Sequence, residues 1–181
     1  MSTAIAADDF HRYFDQKVAG VRASTCDAPP PSFTAAPPGC CFRDFRPLTV
    51  DDVTAAIRQL PDKQCTSDPL PTRLLKDNVE LLSPFLVELF NQSLAKGVVP
   101  TSFKSAFITP LLKKPDLDQA DVRSYRPISN LSVTSKLLER LVARQILDYL
   151  TAAKLLPSLQ SAYRAYHSPE TAVVKVLSDI L

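Results

Sequence analysis

The side chains whose types and spacing suit chemistry are few. Two pairs of adjacent aspartates stand out, Asp8-Asp9 and Asp51-Asp52. A two-metal phosphoryl-transfer site needs carboxylates from separate segments that converge on ions ~4 Å apart. Asp51-Asp52 instead follows Thr49-Val50 at the start of a helical pattern, where acidic groups suit the positive end of the helix dipole. The cysteines are Cys26, Cys40, Cys41 and Cys65, none in a Cys-x-x-Cys pair, and the two histidines, His11 and His167, lie far apart. These spacings contain neither a zinc ribbon nor a redox motif, and the expectation is free thiols without a metal site. With three glycines in the chain, neither a phosphate-cradling loop nor a dinucleotide fingerprint can be formed. No Ser/His/Asp or Cys/His set has a distinctive context, so hydrolytic catalysis has no support.

The cations are unevenly distributed. From Lys96 to Arg144 there are nine Lys/Arg against four Asp/Glu, a net of +5 that leaves −3 for the rest of a chain whose formal charge is +2. That asymmetry permits a basic face able to contact phosphates; a solvated surface is the plain alternative. At 181 residues, with 45% hydrophobic and 22% charged, the chain suits one globular domain. No apolar run approaches the ~20 residues of a membrane span. Met1-Ser2-Thr3-Ala4 opens with neither a basic region nor a long apolar stretch, and the expectation is an intracellular location, cytoplasmic or nuclear.

The elements that must position these groups follow from periodicity. Phe10, Phe14 and Val18 fall at helical spacing, which predicts a short amphipathic helix in need of a partner surface. Pro29-Pro30-Pro31 and Pro37-Pro38-Gly39 mark a linker, with folded structure expected from near Phe42. Thr49 caps a helix whose apolar face is Val53, Ile57 and Leu60. A turn around Cys65–Pro71 precedes a short helix ending near Asn78. Ser83-Pro84 is expected to start a stronger helix, with Phe85, Leu86, Leu89, Phe90 and Leu94 on one face and Gly97 with Pro100 as its stop. Ser105–Leu112 is the best strand, placed at an edge or bend by Pro110. A polar loop follows, and Tyr125-Arg126-Pro127-Ile128 resumes an extended path. From about Thr134 to Ala153 the pattern is helical, with Leu137, Leu138, Leu141, Val142 and Tyr149 inward. Lys136, Arg140 and Arg144 fall at i, i+4 and i+8 beside that face, a stripe that suits phosphate contacts or plain solvation equally. Ser168-Pro169-Glu170 caps a last helix still running at Leu181. The sum is an α+β chain, mostly helical.

Three ordered phrases carry a resemblance. The first is Ser67-Asp68-Pro69-Leu70-Pro71-Thr72-Arg73-Leu74-Leu75-Lys76, followed by Phe90-Asn91-Gln92-Ser93-Leu94 and Gly97-Val98-Val99-Pro100. The second runs from Phe103-Lys104-Ser105-Ala106 to Pro110-Leu111-Leu112-Lys113-Lys114. It continues through Ser124-Tyr125-Arg126-Pro127-Ile128-Ser129-Asn130-Leu131 to Ser135-Lys136-Leu137-Leu138-Glu139. The third is Gln160-Ser161-Ala162-Tyr163-Arg164 with His167-Ser168-Pro169-Glu170-Thr171-Ala172. In this order and spacing, from about Leu48 to Leu181, the chain resembles the fingers and early palm of LINE-type (non-LTR) retrotransposon reverse transcriptases.

The resemblance implies the fingers and incomplete palm of a right-hand polymerase fold. It divides the chain into 1–22, an amphipathic helix from an upstream linker; 23–47, a proline-rich linker; and 48–181, a truncated reverse transcriptase domain. It makes Lys113 or Lys114, at a strand end, and Arg126, just after the loop, candidates for holding the phosphates of an incoming nucleotide. Gln160, Tyr163 and Arg164 match a family phrase that lies along the template. Ala162 stands there in place of the usual glycine, and Pro169 in place of a common threonine. The intact family enzyme uses Mg²⁺, an RNA template and a DNA primer, with no membrane. Its metal-binding aspartates, one after the last helix and two in a Phe/Tyr-x-Asp-Asp turn, have no counterpart in these residues. The chain alone is therefore expected to be inactive and to bind no Mg²⁺ specifically. Val173, Val174, Leu177, Ile180 and Leu181 would form an uncovered palm face prone to self-association. The rival expectations are a non-catalytic nucleic-acid-binding module and a decayed protein-interaction fragment.

Overall fold

Thr49 organises the first core helix as its sequence requires. Its Oγ1 accepts from the Asp52 amide (3.1 Å), and the Asp52 carboxylate accepts from the Thr49 amide (2.9 Å), a reciprocal cap for α2 (Val50–Arg58). Val53, Ala56 and Ile57 are buried along α2, and Leu60 just beyond it. The computed structural model describes residues 5–32, 37–62, 68, 70–157, 160–162 and 164–180. Its other elements are α1 (Ala7–Ser24), α3 (Thr72–Asp77), α4 (Val79–Lys96), α5 (Thr101–Lys104), β1 (Ala106–Leu112), β2 (Tyr125–Leu131), α6 (Val133–Ala152) and α7 (Pro169–Ile180). The core lies among α2, α3, α4 and α6, where Ile57, Leu75, Phe90 and Leu137 are fully buried. This is a mixed α and β arrangement, mostly helical, with one two-stranded antiparallel sheet among the described residues.

The structure corrects the expected start of the fourth helix. Ser83 and Pro84 lie inside α4, which begins at Val79. The buried row Val79, Ser83, Leu86 and Phe90 keeps helical spacing across the proline, so packing extends the helix one turn earlier. Pro84 has no N–H for the Glu80 carbonyl and stands on the solvent side. Ser83 caps nothing; it is buried and hydrogen-bonded to Thr54 (3.0 Å), which locks α4 to α2. Phe85 and Leu89, expected inward, are 69% and 39% exposed, because the core takes only the narrower stripe through Leu86 and Phe90. The helix ends as the sequence requires, on Gly97 at φ +62° with Val98 N–H on the Ser93 carbonyl (3.1 Å).

Two side-chain amides hold the strand-like segment that enters the core. Asn91 of α4 accepts from the Leu48 N–H (2.7 Å) and donates to its carbonyl (2.9 Å). Gln145 of α6 does the same for Arg46, at 2.8 and 3.0 Å. Each amide thus replaces the pairing a neighbouring strand would give. Upstream, Phe42 stacks near Phe45 (5.0 Å) and Tyr149 (5.3 Å), so this segment touches α6 before Leu48 is reached. The turn expected around Cys65–Pro71 lies mostly outside the described residues. Asp68 is described, and it accepts from the Val133 amide at the start of α6 (2.6 Å).

Candidate nucleic-acid interface

The hairpin β1–β2 presents the first candidate residues. Its register places Pro110 opposite Pro127, Leu111 opposite Arg126 and Leu112 opposite Tyr125. Lys113 N–H donates to the Ser124 carbonyl (2.9 Å), so alternate pairs counted from there are hydrogen-bonded, and the two prolines fall on a non-bonded pair. Neither therefore costs a ladder bond. Each removes an outward N–H, which blunts both edges of a sheet that has no third strand among the described residues.

Strand alternation gives the hairpin two faces. One carries Ile108, Pro110, Pro127, Ser129 and Tyr125, and α1 lies on it: Phe10 meets Tyr125 edge-on at 4.9 Å, and Phe10 and Phe14 line the groove against Ile108 and the prolines. The partner surface that the amphipathic helix required is this face. The opposite face carries Phe107, Leu111, Ile128 and Arg126, exposed by 65%, 54%, 39% and to solvent respectively, with Asn130 hydrogen-bonded to Thr109 (2.8 Å). Arg126 forms no ion pair among the described residues. Phe107, Leu111 and Ile128 were not marked by sequence reasoning, although period-two alternation about Arg126 points to them.

The lysines differ. By the same alternation Lys113 shares the Arg126 face, and its ammonium donates to the Arg123 carbonyl (2.6 Å) at the hairpin's end. Lys114 is exposed at the turn that follows. The turn is shaped by Asp121, whose carboxylate accepts from the Arg123 amide (2.8 Å) and ion-pairs with its guanidinium (2.8 Å). The Arg123 hydrogen bonds hold the Asp121 carboxyl below its ordinary pKa. Arg123 is thereby occupied, and Arg126 is the guanidinium left to face solvent on the strand.

The second group stands on the loop between α6 and α7. Gln160 donates to the Ala162 carbonyl (3.1 Å), and the Arg164 guanidinium donates to the carbonyls of Pro157 and Gln160, both at 3.3 Å. Tyr163 lies outside the described residues. Ala162 does not occupy a left-handed conformation; the described non-glycine residues that do are Lys154 (φ 54°) and Tyr166 (φ 64°). Ser168 and Thr171 then cap α7 reciprocally, with Thr171 N–H on Ser168 Oγ (3.3 Å), and Pro169 fits its first position.

In each adjacent-aspartate pair one carboxylate is engaged within the fold. Asp52 receives the Arg46 guanidinium at 2.9 and 3.2 Å as well as Thr49, which holds its pKa down to about 2. Asp9 accepts from the Ala6 amide at the start of α1 (3.3 Å). No group of three metal-ligating side chains occurs among the described residues. No described helix is long and apolar enough to cross a membrane.

Comparison with known proteins gives a consistent set of relatives. The chain is 33% identical over 138 residues, 76% of its length, to a probable RNA-directed DNA polymerase from transposon BS of Drosophila melanogaster. It is 32% identical over 139 residues to an RNA-directed DNA polymerase from mobile element jockey of Drosophila funebris, and 31% identical over 138 to that of Drosophila melanogaster. In each case the match spans 15% of the relative's length. No family model matches the chain.

Proposed function

Since the chain corresponds in sequence to a segment of the LINE-type retrotransposon reverse transcriptases, we propose that it forms the fingers and the start of the palm of an RNA-directed DNA polymerase. The observation that carries this reading is the 33% identity along 76% of the chain. The hairpin supports it. Arg126 and Lys113 share its open face, Arg126 without an ion pair among the described residues, beside exposed apolar side chains. A guanidinium donates bidentately to phosphate oxygens, and an adjacent apolar surface suits the sugar and base of the same nucleotide. On this reading Lys113 or Lys114 holds the triphosphate together with Arg126, and Gln160, Tyr163 and Arg164 contact the template.

The 181 residues contain no Phe/Tyr-x-Asp-Asp, and of the adjacent aspartates Asp9 and Asp52 are engaged at helix starts. Mg²⁺ would supply charge neutralisation at the triphosphate in a longer polypeptide; these residues alone do not hold it. The purified chain, given primed RNA, Mg²⁺ and deoxynucleoside triphosphates, therefore incorporates no nucleotide. Template-dependent incorporation by contaminant-free protein would contradict this reading of the fragment.

A further inference from the structure

We infer that the exposed face of α6 bearing Lys136, Arg140 and Arg144 is a docking surface for the phosphate backbone of an RNA strand, an inference that rests on the polymerase reading above. The orientation of α6 is fixed by Leu137, Leu138 and Leu141, which are buried in the core. All three cations are left in solvent by that packing. Four residues advance an α-helix by about 6 Å and turn it only about 40° past a full turn. The three charges therefore form a row about 12 Å long on one side of the helix.

Like Arg126 on the hairpin, the three have no carboxylate partner among the described residues. Arg12, Arg46, Arg58, Arg73 and Arg123 each ion-pair with an aspartate or glutamate. Among the described residues Lys136, Arg140 and Arg144 form no ion pair, although Glu139 adjoins Arg140 in sequence and Asp148 lies one turn beyond Arg144. Arg144 meets the neutral amide of Gln59 at the end of α2 (3.3 Å). Arg46 and Arg58 are matched to acids that tie segments together, whereas Lys136 and Arg140 keep their donors in solvent and Arg144 keeps donors beyond its contact with Gln59. A row of cations spaced along an axis attracts a row of phosphates without reading bases, which is what a protein moving along a template requires. Helix α6 also follows β2 directly through its Ser132 cap, so the row continues the chain from the strand that carries Arg126.

The test is fluorescence anisotropy of the full 181-residue chain with a labelled single-stranded RNA between about 50 and 200 mM salt. Wild type is compared with a Lys136→Gln/Arg140→Gln/Arg144→Gln variant and with the three single substitutions, each checked for native circular dichroism. Each contact removed lowers the slope of log affinity against log salt by about 0.7, and the triple variant by about 2, for unrelated RNA sequences alike. Arg58→Gln, which removes a cation already paired with Glu80, leaves the slope unchanged. An unchanged slope in folded variants overturns the inference, as does absence of RNA binding by the wild type. Stripe-dependent binding that favours duplex DNA over RNA overturns the assignment to RNA. Triphosphate contact at the hairpin is read separately, so either proposal can fail while the other stands.

Discussion

At the scale of single residues, polar side chains with two simultaneous tasks hold the entrance to the core. Asp52 completes the cap of α2 and binds Arg46. Its pKa is lowered to about 2, chiefly by the Arg46 hydrogen bond. The folded value lies below the unfolded one, so this stabilisation is full above pH ~4 and fades as pH falls toward the folded value. Asp52→Asn is expected to cost about 1–2 kcal/mol at neutral pH, with the difference from wild type closing near pH ~2. Urea unfolding at both pH values measures it. Asn91→Ala leaves both backbone groups of the buried Leu48 without partners. A loss of about 2 kcal/mol follows, against about 1 for Gln145→Ala at the more exposed Arg46. The Thr49 cap was legible from residue type and spacing. The Asn91 and Gln145 clamps were not, because their partners lie 43 and 99 residues away and a backbone acceptor has no sequence signature.

At the scale of elements, periodicity located β1, β2, α2 and α6 and misplaced the start of α4. The serine-proline pair has the chemistry of a helix start, but Val79 has a place in the core that the helix must reach back to fill. Tertiary burial outweighs the local preference. Since Pro84 is exposed and lies within the helix, Pro84→Ala restores a hydrogen bond to Glu80. It is expected to stabilise the chain by about 1–2 kcal/mol, less than the full helix-interior proline penalty because the unfolded chain gains freedom. A lower thermal midpoint for Pro84→Ala would contradict this account of α4. The strand pairing was only partly legible. Pro110 marked an edge or bend, whereas its placement directly opposite Pro127 depends on a register that the sequence does not state.

At the scale of the whole molecule, the described chain is a helical core carrying a short hairpin, with α1 on one hairpin face and the other face open. Helix α7 has no buried residue, and Val174 and Ile180 on it are 65% and 73% exposed. The chain matches only 15% of the length of its relatives, and the nucleotide and template roles are proposals for that matched segment. Kinship was legible because the ordered phrases survive together; the proposed residue roles rest on that resemblance. The most direct measurement is amide chemical-shift mapping of the chain during titration with a Mg²⁺-deoxynucleoside triphosphate, with Arg126→Ala as the comparison. The account predicts shifts concentrated at Phe107–Lys114 and Arg126–Asn130 and largely lost in the variant. Shifts confined to other elements, or a response identical in Arg126→Ala, would contradict the hairpin as the triphosphate site.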